Sequence, residues 1–440
     1  MSETLSDLTQ RATSRRAARR PVLVAIGASG GAGALQVART IAERYSADMV
    51  VTSVVEPPPL YTFESNRLLL LPWLLEQLIG ERHASVHDRF HQLGIVPPGL
   101  AEPRVDVRYG NAAETIADVA RELDARLIVL GIGPHSLRHR LFSAGRAWTT
   151  GRRAPCPLLA VGEGMQELPR VAVIATDFSP ESIHAAKVAL TLLADGAIVH
   201  LVHAWSRVEA VFPSAVLATF NEQYAASLPG KFARMIDAIG PADHVRFQTL
   251  ALEGRPADLV LAVAHSVRAD LVVAGTHGRG ALERWLLGST SSALLRGAEC
   301  SVLLAPRPPI AKRMELMRHM SGTFQVEEPA AWDAELRAVV ERNHDRPTAL
   351  EVDDRTLGAQ VQERGLSLVG ASYDPHDRRV ALMFSDAQRR VHLTRSLAHI
   401  RSVAVTGDPR DDHALWIESD DGATLVTFLD RTGDASSANA

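Results

Sequence analysis

Apolar residues along this chain follow one rhythm as far as Pro306 and another after it. In the first part, short and nearly unbroken apolar runs alternate with stretches whose apolar positions recur at helical spacing. The runs Val22 to Ile26, Met49 to Val55, Val105 to Tyr109, Leu127 to Leu130 and Leu158 to Val161 predict strands buried on both faces. A second set follows: Val171 to Thr176, Ile198 to Ala204, Val245 to Leu250, Leu271 to Ala274 and Val302 to Leu304. Strands alternating with helices imply parallel sheets with right-handed crossovers and helices on both faces, so two doubly wound α/β domains in tandem are expected.

The two sets are copies of one unit. Leu127 to Gly162 aligns without gaps on Leu271 to Pro306, and Leu127, Val129, Gly131, Arg140, Arg152, Ala154, Cys156 and Leu159 meet identical residues. Past Pro306 the pattern changes. Residues 307–329 are rich in Pro, Arg and Met, show no lasting period and read as a linker. Ala330 to His344 predicts one amphipathic helix. Alternating runs then predict strands at Leu366 to Tyr373, Val380 to Phe384, Val403 to Val405, Ala414 to Ile417 and Thr424 to Leu429, separated by turns such as Asp374-Pro375 and Asp420-Asp421-Gly422. The expected organisation is a basic tail (1–20), two α/β domains (21–163 and 169–306), a linker (307–329) and a small antiparallel α+β domain (330–431).

Candidate chemistry concentrates in the second copy. Gly275 ends an apolar run, Gly278 follows in a loop, and Gly288-Ser289-Thr290-Ser291 opens a helix. Glycines let a ligand approach the backbone, and a helix start offers free N–H groups and hydroxyls to phosphate oxygens. Arg279 has the fork geometry that suits a phosphate, while His277 reads as a loop residue. In sheets of this type ligands sit outside the carboxyl ends of the strands where strand order reverses, which brings Asp177 and Gly275 together.

The spacing Gly-x2-Gly-x9-Gly-Ser, together with Gly254-Arg255-Pro256-Ala257 upstream and Asp177-Phe178-Ser179 after the first strand, resembles the universal stress protein family in its ATP-binding branch. The resemblance implies a Rossmann-like fold and an adenosine end held by Asp177, with Ala175, Thr176 and Ala204 beside it. It places the triphosphate over Gly275, Gly278 and Arg279 and against Gly288, Ser289 and Thr290. Mg²⁺ is expected with the phosphates, because backbone donors and one Arg do not neutralise a triphosphate. Binding rather than turnover is the expected activity, since no Walker lysine or water-positioning acid is evident. Slow hydrolysis, or autophosphorylation at Ser289 or Thr290, is the most that is expected of it as an enzyme. Family members commonly dimerise, which implies either a homodimer or an internal pseudo-dimer of the two copies.

The first copy lacks this chemistry. Ala28 stands opposite Asp177, Pro134 opposite Gly278, and Ala144 and Gly145 opposite Gly288 and Ser289. Its Ser29-Gly30-Gly31-Ala32-Gly33-Ala34 partly resembles the loop of ATP pyrophosphatases, but Gly33 and Ala34 replace the Asp and second Ser of that loop. The C-terminal part, from Trp332 through Gly358 to Val361, Leu368 to Asp374 and His399-Ile400 to Thr424-Leu425, resembles a small bacterial domain without assigned chemistry, for which protein contact or regulation is expected. A scaffold in which neither copy binds ligand is the rival reading.

Composition narrows the partners. The 440 residues are 46% hydrophobic and 22% charged, ordinary for a folded protein, and the net charge of −4 argues against nucleic acid. Cys156 and Cys300 are the only cysteines and fall at matching places in the two copies, which favours buried thiols in a reducing cytoplasm. The apolar stretch Leu68 to Ile79, interrupted by Pro72 and Glu76, is too short for a bilayer, which needs about twenty residues. The paired arginines at 15–16 and 19–20 precede an apolar run better read as a first strand than as an export signal. His83, His87 and His91 recur at a spacing able to chelate zinc, yet Val86, Phe90 and Leu93 mark the buried face and leave the histidines on its flank.

Overall fold

The structure is a computed structural model that describes residues 20–27, 31–56, 72–95, 103–131, 145, 147–162, 164–207, 215–276, 288–320, 323–325, 328–354, 358–386, 392–408 and 411–429. The chain divides into two compact units, Met1–Phe232 with Ile239–Arg307, and Ala233–Ala238 with Pro308–Ala440.

In the first unit the first repeat runs β1 (Val22–Ala25), α1 (Ala32–Tyr45), β2 (Met49–Val55), α2 (Pro72–Gln92), β3 (Arg104–Tyr109), α3 (Ala112–Glu122), β4 (Leu127–Gly131) and β5 (Leu158–Val161), with a helical segment at 147–153. The second runs β6 (Val171–Ala175), α4 (Pro180–Leu190), β7 (Ala197–Trp205), α5 (Ala215–Ile239), β8 (Val245–Glu253), α6 (Pro256–Ser266), β9 (Leu271–Gly275), α7 (Ser289–Gly297) and β10 (Ser301–Ala305). Each apolar run becomes a strand within a few residues of its expected bounds because covered parallel strands need apolar side chains on both faces. Helix starts follow local chemistry: Asn111 accepts from the N–H groups of Ala113 and Glu114, and Ser179 accepts from Ser182 ahead of Pro180. Pro72 likewise opens α2 rather than breaking it.

The two repeats share one ten-stranded sheet in the order β3-β2-β1-β4-β5-β10-β9-β6-β7-β8. Within each repeat the strands are parallel, and only β5 and β10 meet antiparallel, with Val302, Leu303 and Leu304 opposite Ala160, Leu159 and Leu158. Leu159 and Leu303 are equivalent in the repeat alignment, so the joint has local two-fold symmetry. Trp148 and Ser292, also equivalent, meet across it, the indole N–H donating to Ser292 Oγ at 2.7 Å. One core cluster collects Leu158 and Ala160 with Val302 and Leu304, so the tandem arrangement is a fused pair.

The second unit is an antiparallel eight-stranded sheet ordered β11-β16-β17-β18-β12-β13-β14-β15. Its strands are β11 (Thr323–Gln325), β12 (Pro347–Asp354), β13 (Gly358–Asp374), β14 (Arg379–Ser385), β15 (His392–Leu397), β16 (Ile400–Asp408), β17 (Asp411–Ser419) and β18 (Gly422–Phe428). Two helices cover it, α8 (Ile310–Met320) and α9 (Pro329–Asn343). Alternation along the strands separates the faces: Val403, Leu415 and Val426 join Trp332, Leu336 and Val339 of α9, whereas Ala404, Ala414 and Leu425 join Ile310 and Met314 of α8.

The expected linker is therefore corrected, since residues 310–320 form a helix and 323–325 a strand of this sheet. Ile310, Met314 and Met317 do recur at helical spacing, but over a stretch too short, among Lys312, Arg313, Glu315 and Arg318, to stand out. Arg313 of α8 and Glu351 of β12, both almost fully buried, form an ion pair at 2.6 Å on that face. Among the described residues no helix is long and apolar enough to cross a membrane.

Candidate functional site

Strand order reverses between β6 and β9, which pair directly, with Val173 opposite Val272. Their carboxyl ends lead into the two segments expected to bind ligand. After β6 the chain turns through Thr176, Asp177, Phe178 and Ser179. The turn is tightly specified. Asp177 Oδ1 accepts from the Ser179 N–H at 3.0 Å and from its hydroxyl, while Thr176 Oγ1 accepts from the Phe178 N–H at 2.9 Å and lies 3.1 Å from Ser182 Oγ. Phe178 sits at φ 61°, the left-handed region that a bulky residue rarely enters, and is buried.

On the facing side, Thr276 continues β9 by donating to Ala305 O at 2.8 Å, and its carbonyl accepts from the Gly288 N–H at 2.9 Å. Helix α7 starts at Ser289, and Ser291 Oγ donates to Gly275 O at 2.6 Å, tying its first turn to the end of β9. Gly288 is the N-cap at φ −51° and supplies no side-chain cap. A Cβ there would meet Thr276 O at 3.6 Å and Ser291 Oγ at 3.8 Å, ordinary contacts, so among the described residues nothing requires glycine. Ser289 is exposed, and Gly288 and Thr290 are half-buried. Ala175, Ala204 and Asp177 are half-buried and Thr176 is buried, all at the ends of β6 and β7. His277, Gly278 and Arg279 lie outside the described residues.

The first repeat uses its glycines differently. Gly31 caps α1 at φ 107°, and a Cβ on it would fall 2.7 Å from Ile26 Cγ2. Gly131, the counterpart of Gly275, would bring a Cβ to 3.3 Å from Gly31 Cα. Backbone thus packs against backbone at the strand end, which accounts for both glycines without an anion. Ala28, Pro134 and Ala144 lie outside the described residues.

The spacing of residues along the sequence does not single out His203, which the fold places against the turn after β6. Its Nδ1 lies 2.8 Å from Thr176 O and its Nε2 2.9 Å from the Tyr224 hydroxyl. The ring packs 4.5 Å from Phe178, which meets Phe232 edge-on at 5.0 Å. Tyr224 and Phe232, eight positions apart on one stripe of α5, were the available signal. His200 is also buried, and burial lowers its pKa from the usual value. His265 is exposed beside Glu299 at 3.3 Å.

His83 and His91 are exposed and His87 is half-buried, its ring 4.6 Å from that of His83. Among the described residues no group of three or more His, Cys, Asp or Glu side chains converges to hold a metal. The Cys156 thiol is pushed up to about 12 by burial, which makes it inert.

A doubly wound α/β repeat carried twice on one chain, with a glycine-opened helix at the strand-order reversal of the second copy, defines a class of tandem α/β proteins. Residues 18–162 and 170–306 each match the model of the universal stress protein family, and the chain belongs to that family. A universal stress protein of Mycobacterium tuberculosis strain H37Rv is 29% identical over 203 residues, a match covering 45% of this chain and 66% of that protein, just under two thirds of its length. One from Thermus aquaticus is 46% identical over 59 residues, 13% of this chain and 43% of the relative. Among solved structures, a universal stress protein from Archaeoglobus fulgidus aligns with a TM-score of 0.43 at 16% identity, covering 65% of this chain and 96% of its own. A family member from Arabidopsis thaliana, solved with AMP bound, aligns with a TM-score of 0.23 at 20% identity over 32% of this chain and 93% of its own.

Proposed function

We propose that the second repeat binds ATP and that the protein acts as a nucleotide-dependent regulator in a stress response. The observation that carries this reading is Gly288: a helix N-cap with no capping side chain, at a φ open to any residue, where none of the described residues makes a demand for glycine. A ligand that approaches the backbone there accounts for a glycine that no described neighbour requires. Gly275 ends the adjacent strand, and Ser289 and Thr290 add hydroxyls at the same helix start.

In this reading Asp177 and the backbone near Ala175, Thr176 and Ala204 take the adenosine end. Gly275, Gly278, Arg279, Gly288, Ser289 and Thr290 take the phosphates, with Mg²⁺ offsetting the charge that these donors leave. The proposed activity is binding rather than turnover, in the cytoplasm. Titration with a fluorescent ATP analogue tests it. Saturable binding that Gly288→Val abolishes is the expected result, and no binding at millimolar nucleotide overturns it.

A further inference from the structure

We infer that His203 is a positioning residue for the adenosine end of the proposed site, acting through the carbonyl of Thr176; the inference rests on the ATP reading above. A carbonyl oxygen only accepts, so the contact at 2.8 Å places a proton on His203 Nδ1. In the neutral ring Nε2 then accepts from the Tyr224 hydroxyl at 2.9 Å. Both nitrogens are engaged, and the ring is buried between β7 and α5.

The carbonyl that His203 holds belongs to the peptide joining Thr176 to Asp177. Fixing that peptide fixes the direction in which the Asp177 side chain leaves the backbone. The same turn is over-determined elsewhere: Phe178 is held at φ 61° with its ring against His203 and Phe232, and the Asp177 carboxylate is oriented by Ser179. Left-handed backbone at a buried Phe is costly and persists only where surrounding contacts enforce it. From β7 this turn receives the His203 side chain at the Thr176 carbonyl as well as the backbone bond from the Thr176 N–H to Val202 O at 2.9 Å, and Ala204, the next residue, is assigned to the same nucleoside. The first repeat has no equivalent requirement, since Ala28 stands where Asp177 stands.

The two ring nitrogens can be replaced one at a time. An Asn side-chain amide reaches where Nδ1 lies and a Gln amide where Nε2 lies, so His203→Asn keeps the bond to Thr176 and His203→Gln keeps the bond to Tyr224. Calorimetric titration of the full chain with ATP, alongside thermal melts, tests the inference. His203→Asn and Tyr224→Phe are expected to bind within about threefold of the parent protein, and His203→Gln about tenfold or more weakly, a spread set by one lost or retained hydrogen bond and the side chain it orients. The melting temperatures of the Asn and Gln variants should fall together, because each loses one bond of the pair. If affinity follows melting temperature instead, or all three variants bind like the parent, His203 is a packing residue and the inference is overturned while the ATP reading stands. A parent protein that binds no ATP overturns both.

Discussion

The two repeats share strand order and a recognisable part of their sequence, but their glycines answer to different needs. Gly31 and Gly131 are required by the chain: one adopts a left-handed conformation, and each sits where a side chain would press on neighbouring atoms. Gly288 meets neither condition. Glycines that close a turn and glycines that admit a ligand look alike in a sequence, and separating them takes the space around each Cβ. On that measure the first repeat has filled its strand end with its own backbone, whereas at the helix start of the second no described residue crowds the glycine.

The sharpest way to break this contrast is a pair of substitutions. Gly288→Val should weaken ATP binding at least about a hundredfold, by steric exclusion of phosphate from the helix start, with stability changed by less than about 1 kcal/mol. Gly31→Val should do the reverse, costing roughly 2–4 kcal/mol through strain and the clash with Ile26, with ATP affinity unchanged. Calorimetry and chemical denaturation of the two variants measure both quantities.

A smaller effect comes from exchanging the acids. Asp177→Ala should weaken ATP about tenfold, whereas Ala28→Asp should leave the stoichiometry at its parent value because Gly31 already occupies the end of β4. Smaller again, Trp148→Phe removes the indole donor to Ser292 and should lower stability by about 1 kcal/mol in denaturant titration.

The smallest prediction concerns His200, whose place in the first repeat is taken by Val51. Burial depresses its folded-state pKa, so the unfolded chain binds the proton more readily. Stability is therefore fully present above the unfolded value near 6.5 and is lost as pH falls through the lower folded value. His200→Val should flatten that acid limb in melts recorded across the window; an unchanged slope would show that His200 does not contribute to it.

Much of this architecture was legible from periodicity. A covered parallel strand has to be apolar on both faces, so runs such as Leu158–Val161 announced themselves. What escaped was polar for a reason that lies elsewhere in the chain. Strand β12 carries Glu351 and α8 carries Arg313, two charged residues that only the fold brings together as a buried pair. The site shows the same division. Gly275, Gly288 and Ser289 stand out by spacing, but the contact of His203 with Tyr224 depends on how α5 lies against β7: the stripe of α5 marks Tyr224 and Phe232 as one face without saying which residue they meet.

The antiparallel seam between β5 and β10 has an evolutionary corollary. In an assembly of identical subunits every substitution is inherited twice, so neither half can abandon its ligand alone. Here a single polypeptide carries both sides of the seam, and each is edited separately. That freedom is what allows Trp148 and Ser292, twins by descent, to have become a donor and its acceptor.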